Sequence, residues 1–376
     1  MMSKERVFIV ALLFVGLVSA LHGQNIITFD VPNAVYTDPT GINPSGQITG
    51  DYSGADLMHH GFLRERNGAI IRFDVAGSTE TFPTAIDTLG NVIGYSDGPT
   101  SQPEPLVFNT IRGFIRHPNG TIVLFDACSS ARPPFLENGE TFPRATNAFG
   151  EIVGQCQQTI DIDTFDYGFV RQPNGTAAPI NTIAACENRV LGFTDAVAVN
   201  LSGHVTGSCS NGPGPKLGFV QNPDGAITTF NVDDVAEATS TKPTAISQSG
   251  QITGIYTDVQ GTEQAFLRQR NGTISLFSVG NAVATNPQGI SPAGRIAGFW
   301  VDGNNEDHGF VRKENGHSVS FDVPGATDTT PVALKNGMIT GHYSTANGDV
   351  HGFFVRIEDL LEQHHHGWDM TDLDLP

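Results

Sequence analysis

"HGFVRKENGHSVSFDVPGATDTTPVALKNGMITGHY", from His308 to Tyr343, restates in outline "HGFLRERNGAIIRFDVAGSTETFPTAIDTLGNVIGY", from His60 to Tyr95. Beyond these two stretches, a Gly-Phe or Ala-Phe pair recurs at Phe62, Phe114, Phe169, Phe219, Phe266, Phe310 and Phe353, at intervals of 52, 55, 50, 47, 44 and 43 residues. Each copy reads as four short segments, most with the alternating polarity of half-buried strands. The Gly-Phe segment comes first. An Asn-Gly or Asp-Gly pair follows it (Asn67-Gly68, Asn119-Gly120, Asn174-Gly175, Asp224-Gly225, Asn271-Gly272, Asn315-Gly316), the signal of a type I′ hairpin turn. The second segment is of the type "IIRFDV" or "SVSFDV", degenerate once as "APINTI"; the third is brief ("PTGIN", "PTAID", "PVALK"); the fourth is of the type "QITGDY" or "NVIGYS".

Consecutive strands joined by short turns make an antiparallel meander. Seven meanders of about 48 residues predict an all-β chain, a seven-bladed β-propeller of four-stranded antiparallel blades. A β-sandwich has no need of seven matched copies. A linear solenoid of the same units would leave half-blades exposed as sticky edges at both ends. Here the first segment after the leader, "NIITFD", is of the second type, and the last repeat ends on "HGFFVR", of the first type. The expected closure therefore pairs the C-terminal strand with the N-terminal three strands. The fourth-segment glycines, Gly50, Gly94, Gly154, Gly207, Gly254, Gly298 and Gly341, imply close backbone approach or a bulge, a structural role.

With the motifs His60-Gly61-Phe62, His308-Gly309-Phe310, His351-Gly352-Phe353 and Gln264-Ala265-Phe266 in place, the chain resembles the bacterial extracellular HAF-repeat family, named for a His-Ala-Phe motif in a repeat of this length. The likeness spans nearly all of the chain after the leader. It departs in having Gly for Ala in six copies and no His in four. The resemblance implies export and a propeller-like repeat, and no particular activity.

Lys4 and Arg6 precede an apolar run from Val7 to Ala20, with small residues at Val18-Ser19-Ala20 and a second cleavage candidate at Gly23. Residues 1–23 read as a secretory signal peptide, 24–357 as the repeat domain and 358–376 as a polar, acidic tail with the His364-His365-His366 tract. A secreted or periplasmic protein is expected. Fourteen apolar residues are too few to span a bilayer comfortably, and no later segment is apolar enough to do so. Formal charge is −19; losing Lys4, Glu5 and Arg6 with the leader makes it −20. That balance argues against nucleic acid and anionic membranes as partners. A monomer is expected.

Cys128 and Cys186 fall just after second segments, and Cys156 and Cys209 near the ends of fourth segments. Second and fourth strands of a meander run the same way, so these positions share an edge. The pairing Cys128–Cys156 and Cys186–Cys209 is therefore predicted, one bridge per blade, each worth ~3–4 kcal/mol if unstrained. Neither CxxC nor a suitably spaced His supports a metal site at these cysteines.

Chemistry is harder to read. The swollen connections "CSSARPPFLENGETF", "SDGPTSQPEPLVFNTIR" and "CQQTIDIDTFDY" should emerge on one face and build an acidic rim of Glu137, Glu140, Asp161, Asp163 and Asp166. Such a rim offers a cation or polyhydroxy-ligand site, or is a plain surface insertion. "DIDTFD" and "DGNNED" (Asp302 to Asp307) suggest calcium, though neither matches the twelve-residue calcium loop, so no cofactor is expected beyond a candidate Ca²⁺. His60, His308 and His351 share one repeat position and are assigned to packing. Asn-Gly-Thr at Asn119, Asn174 and Asn271 is read as turn, not glycosylation signal. No GxSxG, HExxH, P-loop or dinucleotide motif is present.

The expectation is a secreted, non-catalytic binding or structural module for a protein or an extracellular glycan. The alternative is an enzyme acting on polysaccharide or a lactone, with Ca²⁺ assisting. An enzyme would gather carboxylates or His from several blades at a channel mouth; a scaffold would fill that place with repeat-equivalent apolar or small residues.

Overall fold

The computed structural model describes residues 25–98, 110–128, 139–160, 163–182, 186, 193–210, 214–232 and 236–366. The expected leader at 1–23, the rim acids Glu137 and Asp161, and the last ten residues of the tail lie outside these.

After β1 (Ile27–Phe29), strands pair four at a time in antiparallel meanders. The first is β2 (Tyr36–Ile42), β3 (Ile48–Ser53), β4 (His59–Arg64) and β5 (Ile70–Phe73). The second is β6 (Glu80–Ile86), β7 (Val92–Gly98), β8 (Thr110–Arg116) and β9 (Ile122–Phe125). The third is β10 (Glu140–Thr146), β11 (Ile152–Ile160), β12 (Asp163–Arg171) and β13 (Ala177–Pro179). The fourth is β14 (Phe193–Val199), β15 (Val205–Ser210), β16 (Leu217–Gln221) and β17 (Ile227–Phe230). Then come β18 (Ala238–Ile246), β19 (Ile252–Asp258), β20 (Glu263–Arg268) and β21 (Ile274–Phe277), followed by β22 (Ala284–Ile290), β23 (Ile296–Val301), β24 (Asp307–Arg312) and β25 (Ser318–Phe321). The last is β26 (Asp328–Lys335), β27 (Met338–Ser344) and β28 (Val350–Arg356), with β1 on its open edge. The first strand of each meander packs beside the first strand of the next, and β26 packs beside β2, so these are the inner strands.

Two expectations change. The meander begins on the "PTGIN" segment, not on Gly-Phe. After "FDV" the chain crosses to the next meander instead of turning back in a hairpin. The pairing of β28 with β1 does form, with Phe29 opposite Gly352. But β28 brings β26 and β27 with it, so the C-terminal end gives three strands and the N-terminal end one. The brief segment is also longer than its apolar residues suggested, starting at Tyr36 rather than Pro39. Its buried position is a threonine: Thr37, Thr81, Thr141, Thr194, Thr241, Thr285 and Thr329 are all 0–2% exposed. Six of these hydroxyls accept the N–H of the "FDV" valine position, as in Thr81 Oγ1 with Val75 N at 3.1 Å and Thr329 Oγ1 with Val323 N at 3.0 Å. This satisfies a buried donor where the chain crosses between meanders.

The Asn-Gly turns differ as well. Gly68, Gly120, Gly175, Gly225, Gly272 and Gly316 have positive φ, but their Asn or Asp neighbours do not. Gly68 N bonds Glu65 O, Glu65 N bonds Ala69 O, and the Asn67 side chain accepts Ala69 N. This is a three-residue loop, a type I turn closed by a left-handed glycine, rather than type I′. The side chains of Asn119, Asn174 and Asn271 are used in the same way.

The seven motif phenylalanines are fully buried. The glycine before six of them lies under a side chain of the outer strand. A methyl at Gly61 would meet the Phe73 ring, and one at Gly352 the Phe29 ring. A methyl on any fourth-segment glycine would strike an inner-strand carbonyl, as Gly50 would strike Asp38, and the inner strand bulges just beyond. Between meanders, an arginine stacks on the outer-strand phenylalanine of its predecessor: Arg116 on Phe73 at 4.9 Å, Arg268 on Phe230 at 4.8 Å, Arg312 on Phe277 at 4.8 Å. Arg64 stacks on Phe29 at 4.9 Å, so β1 serves the first meander as β5, β9, β17 and β21 serve their successors.

Both disulfides are present, Cys128–Cys156 and Cys186–Cys209. The expected placement of one bridge inside each meander is not what forms. Cys128 follows β9 and Cys156 is in β11; Cys186 follows β13 and Cys209 is in β15. Each bridge pins a crossing to the next meander. The C-terminal segment carries α1 (Ile357–His366), which buries Ile357 and Leu360 against the last meander. No helix among the described residues is long and apolar enough to cross a membrane.

Candidate functional site

Alternation along the inner strands puts the residues either side of each buried threonine on the opposite face. At these positions the copies carry different chemistry: Tyr36 and Asp38, Glu80 and Phe82, Glu140 and Phe142, Phe193 and Asp195, Ser240 and Lys242, Ala284 and Asn286, Asp328 and Thr330. They meet side chains from the end of each second strand and the start of each third.

The densest grouping forms where the last, first and second meanders adjoin. Asp38 and Asp51 stand opposite each other in the β2/β3 register. Tyr36 Oη donates to Asp38 Oδ2 at 2.9 Å, and His342 Nδ1 pairs with Asp38 Oδ1 at 2.7 Å. His59 Nδ1 pairs with Asp51 Oδ2 at 2.7 Å, and its backbone N–H donates to Glu80 Oε1 at 3.4 Å. Next to them, Thr330 Oγ1 donates to Asp307 Oδ2 at 3.2 Å and Asp307 N donates to Asp328 Oδ1 at 3.1 Å. The His59 ring faces Phe82 at 4.8 Å, Phe82 stacks on Tyr95 at 5.0 Å, and Tyr95 meets Phe142 edge-on at 5.2 Å. Acids, imidazoles and aromatic faces from several meanders thus share one end of the inner strands.

Burial pushes the Asp51 carboxyl up to about 6, against the opposing hydrogen bond from His59. Burial raises Tyr36, reinforced by the charges of Asp38 and Asp51, and also raises Tyr95, Asp195 and Asp307. Burial works to lower His342, but its bond to Asp38 and the surrounding carboxylates outweigh it and hold the imidazolium above its ordinary range. Side-chain exposure is 9% for Asp51 and 34% for His59, so the imidazole is the member of that pair within reach of a ligand.

The rim acids that are described flank this grouping. Glu140 opens β10, with its carboxyl raised by burial, and Asp166 accepts from Gln157 Nε2 at 3.0 Å. Asp163 opens β12, and its side chain lies outside the described set, as do those of His364, His365 and His366. Asp302 and Asp307, adjacent in the calcium reading, separate: Asp307 joins the acidic end, while Asp302 groups with Glu306 and His308. Asp302 already accepts two backbone N–H groups of its own loop, at 2.8 and 2.9 Å. The motif histidines do not converge. Each pairs with an outer-strand aspartate, His60 with Asp74, His308 with Asp322 and His351 with Asp30, at 2.8–2.9 Å, and lies against Tyr52, Trp300 or Tyr343.

Sequence reasoning missed Asp38, Asp51, His59, Glu80 and His342. The available signal was the repeated Thr-x-Pro of the inner strand, whose flanking positions change chemistry from copy to copy. At the other end of the inner strands a cavity of about 350 Å³ takes lining from every meander, including Pro44, Ile86, Thr146, Val199, Ile246, Ile290 and Leu334. Its lining alternates these mainly apolar side chains with polar ones such as Asp87, Asn147 and Lys335.

No protein-family model and no curated protein sequence matches the chain. Solved structures do. A prolyl endopeptidase superposes with a TM-score of 0.60 at 8% identity, over 87% of this chain and 49% of that one. Puromycin hydrolase, as an S511A mutant complexed with PGG, gives 0.51 at 11%, over 86% and 55%. This chain therefore spans about half the length of these two enzymes. YCF48 bound to D1 peptide gives 0.50 at 10% identity, over 93% of this chain and 97% of that one. At such identities the likeness concerns the fold alone: an all-β, propeller-like architecture of antiparallel meanders, of the kind that serves binding and enzyme modules alike.

Proposed function

We propose that the chain is an exported seven-bladed β-propeller, closed through β1 and β28, that binds an extracellular glycan or lactone at its acidic end and turns it over by acid–base chemistry. The equivalence of the Arg64–Phe29 and Arg116–Phe73 stacks supports the ring, and two disulfides support an oxidising, non-cytoplasmic compartment. The HAF-repeat likeness supports the same setting. One observation carries the activity: two carboxylates face each other across β2 and β3, each backed onto an imidazole at 2.7 Å. A scaffold alone would place repeat-equivalent small or apolar residues there. His59 would exchange the proton with the substrate while Asp51 positions it. Phe82, Tyr95 and Phe142 offer faces to sugar rings, and the half-exposed acids accept hydroxyls.

A non-catalytic binding module is the second reading. It is favoured by the closure of the network, in which each of these acids and imidazoles already has a partner. One experiment separates the two. The protein is screened on a glycan array, and the retained glycans are then followed for products with wild type and Asp51→Asn. Products lost in the variant establish turnover. Retention without products establishes the binding module. No retention sinks the glycan reading and turns the search to protein partners.

A further inference from the structure

We infer a second site, for a small oxyanion, between the fourth and fifth meanders at the end of the inner strands away from the acidic grouping. A cavity of about 250 Å³ opens there, lined among others by Ser202, His204, Asn222, Ser249, Arg268 and Arg270. A liquid water occupies roughly 30 Å³, so a tetrahedral or carboxylate anion fits with a few waters.

Three observations point to an anion. First, the lining includes no carboxylate among the described residues, although Asp and Glu number 39 in this chain against 20 Lys and Arg. Second, Arg268 and Arg270 share the cavity, and neither forms an ion pair among the described residues. Two guanidinium groups bordering one cavity without a counter-charge make it favourable to an anion. Third, His204 breaks the repeat. At its position Gln47 bonds Asn43 and Glu65, Asn91 bonds Asp87 and His117, Glu151 bonds Asn147, Gln251 bonds Gln269, and Arg295 bonds Glu314. His204 borders the cavity without such a bond, its Nδ1 being buried and unpartnered within the protein. In those copies this position carries side-chain hydrogen bonds; here His204 carries none of them and two arginines border the hole. Arg268 is held in place by its stack on Phe230, which leaves Arg270, exposed at the rim, to close on the ligand.

Sulfate, phosphate and the carboxylate of a sugar acid share this chemistry. Each is titrated calorimetrically as its sodium salt (sulfate, phosphate, glucuronate) against chloride at constant ionic strength. Saturable binding of at least one is expected, and the order among them tells a tetrahedral from a planar ligand. Arg270→Gln should weaken it roughly tenfold, the loss of one charge-assisted hydrogen bond. His204→Gln installs the residue that the repeat itself carries at Gln47 and Gln251; it should weaken binding without lowering Tm. Asp51→Asn, altered at the other end, should bind as wild type does. Absence of saturable binding for all three anions, or equal affinity in Arg270→Gln, overturns the site.

Discussion

The seam between the last and first meanders and the disulfide-bearing third and fourth meanders solve one packing problem with different residues. At the seam every contact of the repeat is kept although the strands come from opposite ends of the chain. Phe29 lies over Gly352, meets Phe62 edge-on at 6.2 Å and carries the Arg64 guanidinium. Between the third and fourth meanders those residues are gone. The outer strand β13 is three residues long, Ile180 lies over Gly168 in place of a phenylalanine, and Gln221 stands where other copies have arginine. There the chain supplies Cys186–Cys209. One of the two covalent ties, Cys186–Cys209, sits where the repeat's own contacts lapse. The titratable grouping sits where those contacts are intact, because it needs inner strands held in register.

That contrast can be broken at the seam first. Phe29→Ala removes a ring that bridges two meanders and should cost about 3–5 kcal/mol. Phe277→Ala removes the same contact in mid-chain, so denaturant unfolding should give the two variants losses within about 1 kcal/mol of each other. A near-silent Phe29→Ala beside a costly Phe277→Ala would show that β1 is only laid on the edge of β28.

The bridges come next. Replacing either pair by serine should cost roughly 3 kcal/mol on loop entropy alone, and separations of 23 and 28 residues predict nearly equal losses. The lapse in packing contacts predicts inequality instead. Cys128–Cys156 is backed by Arg171 stacked on Phe125 at 4.7 Å, whereas nothing of that kind joins the third and fourth meanders among the described residues. Loss of Cys186–Cys209 should therefore be the more damaging, read as the larger fall in Tm. Equal falls would return the effect to chain entropy.

Much of this architecture is legible in the sequence, and the illegible part has one cause. The strands, the glycine contacts and the cysteine partners follow from apolar alternation, turn residues and strand direction. The frame of the meander does not, since the inner strand buries threonine rather than an apolar residue. Tyr36-Thr37-Asp38 carries no hydrophobic period, so it reads as loop. Yet Thr37 is 1% exposed, and its neighbours are the site. The repeat fails most visibly in the long loops, which carry Glu140 and Asp166. The site itself lies inside regular strands, at positions the repeat leaves free to vary. His59 was further hidden by the motif histidine beside it, His60, which faces the outer strand and packs.

The smallest expected effect tests that site most directly. An unfolded aspartate loses its proton near 3.9, whereas Asp51 in the fold holds it to about 6 because burial disfavours the charge. Between those values the folded chain binds more protons than the unfolded one. Stability from this group is therefore complete below about pH 4, falls as pH rises through 6, and stays at the lower level above. Two units correspond to about 3 kcal/mol; Asn removes the buried charge but also the His59 partner, so a gain of roughly 1–2 kcal/mol is expected for Asp51→Asn at neutral pH. Below pH 4 wild type and variant should coincide. His342, raised by its bond to Asp38, keeps its own loss of stability with rising pH in both proteins. Unfolding curves from pH 3 to 8 read all of this. A buried acid kept at a cost to stability, whose removal steadies the fold and silences the glycan signal, is explained by use rather than packing. An Asp51→Asn protein less stable than wild type at pH 7 would make Asp51 one more structural residue of the repeat.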